Sequence, residues 1–192
     1  MKFEYLYTNK KNIKFIILLA FLGFLSGIVL FNMQNINFQN TIINKISELP
    51  QVLNNTRQNN ILFHLSILSI ISLLSILLIG LPVIVGYYFY EFLSLGFFLR
   101  ALYAYKKIKG LLFGSIFIIF NKILFLIVLS YMLLSIINYS KRFIKDFKVS
   151  KNSLIVNHLY KLFFCIVMVL LIDAILYFFG NKLLLIFDFL LR

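Results

Sequence analysis

Five apolar runs, each close to the thickness of a bilayer in length, dominate this chain: residues 13–33, 61–79, 83–105, 111–138 and 159–179. A helix needs ~20 apolar residues to cross the hydrocarbon core. Only helices and closed barrels satisfy every backbone N–H and C=O group where water is absent. The runs therefore predict an all-α polytopic membrane protein of about five transmembrane helices, forming one transmembrane domain over residues 1–192. Composition agrees: 62% of the residues are hydrophobic and the mean hydropathy is +0.98, against ~45–50% apolar residues in soluble domains. No polar stretch is long enough for a second, soluble domain.

The formal charge is +13. On a soluble protein this would point to nucleic acid. Here Lys and Arg collect in the short segments between apolar runs, where they meet lipid head groups and set orientation, so the lipid bilayer is the expected partner and nucleic acid is not. The N-terminal segment carries Lys2, Lys10, Lys11 and Lys14. The segment 140–157 carries Lys141, Arg142, Lys145, Lys148 and Lys151 against Asp146. Placing both in the cytoplasm gives five spans with the N-terminus in and the C-terminus out, at the cost of leaving Lys106, Lys107 and Lys109 outside. The first run lacks a small-x-small cleavage site and reads as an uncleaved helix. Between spans, residues 34–60 place Phe38, Ile42, Ile46, Leu49 and Leu53 three or four apart, an amphipathic helical pattern interrupted at Pro50 and suited to the membrane surface.

Small residues mark the helix contacts. Gly23 and Gly27 fall on one face of the first span, which lets another helix approach closely. Gly80-Leu81-Pro82 separates the second and third runs, and Pro cannot continue the preceding helix, so the chain is expected to reverse there. Gly80 and Pro82, then Gly96-Phe97 on the next helix, then Gly110 opening a further apolar run, resemble the membrane core of the stage II sporulation protein M family. The flanking layout is similar: one earlier span, a polar loop, and one later span after a basic loop. Members carry a Pro before polar residues in the run after Gly110, where this chain has Phe120 before Asn121-Lys122. The resemblance implies a non-catalytic integral membrane scaffold of a cell-envelope complex. It would sit in the bacterial cell membrane, act in engulfment during sporulation, and anchor other membrane proteins, the peptidoglycan-degrading stage II sporulation proteins D and P.

The residues themselves offer no catalytic set, no cofactor motif and no metal-ligand spacing. His64 and His158 are far apart and have no acidic or Cys companions at metal-ligand spacing, and Cys165, the only cysteine, lies in an apolar run. What remains is charge inside the spans: Glu91, Lys122 and Asp173. Charged side chains at that depth are rare and face the bundle interior or a water-filled path, which keeps a second reading open, a membrane subunit of a transporter or permease. At ~1.5 Å per residue, Glu91 lies ~12 Å from the inner face. Lys122 lies ~16 Å from the outer face, hence ~14 Å from the inner face of a ~30 Å core. The matching depths predict a buried Glu91–Lys122 ion pair. Asp173, ~21 Å up, matches Lys122 less well. Asn121-Lys122 also predicts a division of the run 111–138 into a half-helix ending near Phe120 and a helix from Ile123.

Overall fold

The computed structural model describes residues 9–48, 61–145 and 151–186, which form six helices and, among the described residues, no strand. In chain order these are α1 (Lys10–Met33), α2 (Ile36–Ser47), α3 (Ile61–Ile76), α4 (Gly80–Asn121), α5 (Ile123–Lys145) and α6 (Lys151–Ile186). Four segments are long and apolar enough to cross a membrane: Lys10–Met33, Gly80–Ile119, Ile123–Ile144 and Ser153–Leu176. Phe63–Ile76 in α3 is apolar but shorter. The protein is thus a helical membrane protein, with lipid-type side chains such as Phe21, Leu22, Phe163 and Phe164 exposed on its outer faces.

The chain passes back and forth between two ends. α1 and the first arm of α4 run parallel, with Gly23 against Phe89, Gly27 against Leu93, and Phe31 against Phe97. α3 and α6 run antiparallel, His64 meeting Asp173 and Ser75 meeting His158. α5 is the most buried helix; residues 132–137 are buried on every side, as an apolar helix in the middle of a bundle must be. At one end, Asn12 donates to Asn138 at 2.9 Å and accepts from Lys141, so the beginning of α1 and the end of α5 lie together. At the other end α2 covers α4, with Ile42 and Ile46 packed around Phe97, Phe98 and Ala101. The amphipathic face of α2 is therefore seated on the protein itself. Leu49, Pro50 and Leu53 lie outside the described residues, as do Asp146, Phe147 and Lys148 of the basic loop and residues 187–192.

Three boundaries differ from the sequence reading. The reversal after α3 occurs at Leu77–Ile79, where Leu78 takes φ 63°; Gly80, Leu81 and Pro82 form the first turn of α4, a position where proline has no hydrogen bond to lose. Gly80 serves by lacking a side chain, since a Cβ there would lie 2.3 Å from Ser75 N. Second, the basic segment is mostly helical, with α5 continuing to Lys145 and α6 starting at Lys151. Third, α6 continues through Gly180-Asn181-Lys182 to Ile186; a single glycine, with a helix penalty of ~1 kcal/mol, does not end a long helix.

α4 is one helix in name only. Lys106 (φ −127°, ψ 22°) and Lys107 (φ 49°, ψ −123°) break it. The second arm folds back on the first, so that Gly110 lies on Leu102, Gly114 on Leu99, and Phe117 on Phe98. A Cβ on Gly110 would fall 2.1 Å from the Leu102 carbonyl oxygen. The second arm ends at Asn121, Lys122 is non-helical at φ −119°, and α5 resumes at Ile123.

Candidate functional site: a charge cluster inside the bundle

The hairpin in α4 decides which charges meet. Glu91 and Lys122 each lie fifteen residues from the Lys106–Lys107 turn, on opposite arms. Lys122 Nζ donates to Glu91 Oε2 at 3.0 Å. The Glu91 side chain is 5% exposed and that of Lys122 24%, so the carboxylate is the buried partner and the ammonium the one nearer the edge. The break at Lys122 ends the second arm at the level of Glu91. Ser94 and Ser130 return their hydroxyl hydrogens to backbone carbonyls one turn earlier, at Glu91 and Leu126. Tyr88 Oη lies 3.1 Å from Ser130 Oγ and joins α4 to α5 beside the pair.

A second pair lies on α3 and α6. His64 Nδ1 is 3.0 Å from Asp173 Oδ2 and 3.2 Å from Oδ1, with both side chains buried. The two pairs converge on Phe125 of α5. The His64 ring stacks on it, centroids 4.4 Å apart and 15° from parallel, and Lys122 Nζ lies 5.5 Å from its centroid. The aromatic face supplies negative potential to the Lys122 ammonium. Four helices thus meet in one constellation of Glu91, Lys122, Phe125, His64 and Asp173.

The sequence reading set Asp173 only against Lys122 and gave His64 no acidic companion. The same depth arithmetic carries the missing signal. His64 is ~5 Å below the outer start of its run, and Asp173 is ~9 Å below the outer face of a ~30 Å core. A third polar contact was also absent from that reading. Ser75 Oγ gives its hydrogen to Ser72 O at 2.7 Å, so the 2.9 Å contact with His158 has Nε2–H donating to Ser75 Oγ. Tyr139 stacks on His158 at 4.0 Å between centroids.

The glycines lie elsewhere, along the α1–α4 seam and at turns. Added Cβ atoms would approach backbone oxygens to 2.8 Å at Gly23 (Phe89), 2.0 Å at Gly27 (Leu93) and 2.0 Å at Gly96 (Phe24). Cys165 is a free thiol buried in the main apolar core. Among the described residues no three His, Cys, Asp or Glu side chains are grouped to hold a metal ion. No protein-family model, curated protein or solved structure matches this chain. What the fold and the cluster define is a class: a helical membrane protein whose buried charges answer one another within the chain.

Proposed function

We propose that the protein is a non-catalytic membrane scaffold of a bacterial cell-envelope complex, as the resemblance to the stage II sporulation protein M family implies, with membrane-anchored peptidoglycan-degrading components as its partners. The observation that carries this reading is the pairing of Glu91 with Lys122 and of Asp173 with His64. Bonded to one another inside the bundle, these side chains tie α3 to α6 and fix the hairpin of α4 at the start of α5, which is what a rigid platform for other membrane proteins requires. In this reading α3 is a short fifth span, the end bearing Asn12, Lys141 and Arg142 is cytoplasmic, and α2 faces outward. Lys10, Lys11, Lys14, Lys141, Arg142, Lys145, Lys151 and Lys161 at one end outnumber Lys45, Arg100, Lys106, Lys107 and Lys109 at the other, in keeping with positive-inside orientation. Co-purification from a native membrane tests the reading: hydrolase components are expected to follow the tagged protein, while the isolated chain leaves peptidoglycan intact. Peptidoglycan cleavage by the isolated chain, abolished by a point substitution, would sink it.

One observation favours a transporter subunit instead: the two pairs share Phe125 beside a helix break, and broken helices line ion paths in many carriers. Proteoliposomes separate the readings. A scaffold leaves ion flux at the level of empty vesicles, whereas a flux lost in Glu91→Gln with folding intact would favour transport.

A further inference from the structure

Where α5 ends and α6 begins, a cavity of about 40 Å³ opens between the two helices, lined among others by Ser135, Asn138, Arg142, Asn157, His158 and Lys161. Among the described residues no carboxylate lines it. A buried water needs ~10–15 Å³ by this measure, so the space suits about three waters, or one tetrahedral oxyanion.

The lining is arranged to donate hydrogen bonds. Lys141 donates to Asn12 Oδ1, and Asn12 Nδ2 donates to Asn138 Oδ1 at 2.9 Å. With its carbonyl oxygen committed, Asn138 has its amide hydrogens left to offer. His158 is held from behind by Ser75 and by the Tyr139 ring, which fixes one wall. Arg142 and Lys161 add two cations, neither of them in an ion pair among the described residues. The contrast with the other end is direct: Arg100 donates Nε to Asn32 Oδ1 at 2.8 Å and lies over the Phe31 and Tyr103 rings, so its guanidinium is already engaged. Arg142 lies two residues from the end of the span Ile123–Ile144, where lipid head groups are expected, and Lys161 lies eight residues inside the span Ser153–Leu176, a depth from which a lysine stem can extend toward them.

We propose that this cavity is a phosphate-recognition site that takes the head-group phosphate of an anionic phospholipid. A guanidinium and an ammonium lining one small space, with no carboxylate beside them among the described residues, fit an oxyanion, and basic pockets between transmembrane helices are a recurrent way of holding such head groups. The inference does not depend on the scaffold reading.

Native mass spectrometry of the full chain in neutral detergent, titrated with phosphatidylglycerol, tests it. Phosphatidylglycerol is expected to bind and phosphatidylcholine to bind at least tenfold more weakly. Each cation near an anionic head group is worth about fivefold, so R142Q/K161Q should weaken phosphatidylglycerol about 30-fold. K107Q/K109Q, which removes equal charge at the other end, should leave it within twofold. If the double variant fails to fold, Lys161→Gln alone should still lose about fivefold. Wild-type affinity in folded R142Q/K161Q, or equal binding of phosphatidylcholine, overturns the site. Inorganic phosphate that binds alone as tightly and displaces the lipid overturns the lipid as its source.

Discussion

Two seams hold this bundle, and they work by different physics. α1 meets the first arm of α4 through Gly23, Gly27 and Gly96, where backbone lies on backbone, and the polar bond from Arg100 to Asn32 joins them only at the exposed end. α3 meets α6 through His64–Asp173 and Ser75–His158, where side chains bridge the gap. In lipid, burying apolar surface between helices gains little because the tails are equally apolar, so association must come from close packing or from polar bonds. This molecule uses one solution for its parallel pair and the other for its antiparallel pair. The glycine seam leaves no room for an added atom at its contacts, where a Cβ would fall 2.0–2.8 Å from backbone oxygens. The polar seam tolerates looser packing but not the loss of one partner.

The largest effect should come from halving the polar seam. Asp173 left alone in a dry interior costs about 3–5 kcal/mol, so His64→Leu should sharply lower the yield of folded protein. His64→Leu with Asp173→Leu should recover much of it; a double variant as unstable as the single would show that the pair does not carry the seam. Glu91→Leu should follow the same pattern with a smaller loss, because Lys122 is 24% exposed and can reach water when released, whereas Lys122→Leu strands Glu91 at 5% exposed and should cost about as much as His64→Leu. A cycle in which these two losses simply add would separate them energetically. On the glycine seam, Gly27→Ala places a Cβ 2.0 Å from the Leu93 oxygen. It should cost about 1–3 kcal/mol by forcing the helices apart. Gly86→Ala is its control: nothing lies within 4 Å of that Cβ, and unfolding in mixed detergent should show it neutral or slightly stabilised. The smallest loss belongs to Ser75→Ala, about 0.6 kcal/mol, the average for an interhelical hydrogen bond in a membrane protein. A loss several times greater would mean that His158 depends on Ser75 for its place.

The two seams also differ in how far the sequence discloses them. Gly23 and Gly27 stand four apart on one span, and periodicity alone puts them on one face. The division of the run 111–138 at Asn121-Lys122 was legible for a similar reason, since two polar residues interrupt an otherwise apolar stretch. Glu91 and Lys122 could be matched by depth because one short turn sets the register of both. His64 and Asp173 are separated by 109 residues and three intervening helical segments, and nothing local to either points to the other. The backbone breaks were obscured for another reason. The left-handed residues are Leu78 and Lys107, types that rarely adopt that conformation, while the neighbouring Gly80 and Gly110, the natural candidates, are used for close approach. Tertiary packing selected the break points, and local propensity could not announce them.

The 109 residues between His64 and Asp173 also have a meaning in time. At synthesis rates of about 5–20 residues per second, Lys122 follows Glu91 within about 2–6 s, whereas Asp173 follows His64 only after about 5–20 s. The hairpin of α4 can therefore be complete while α3 still lacks its polar partner. During that interval His64 stands without its acid, and Phe125, on which its ring stacks, arrives midway as the first of its partners.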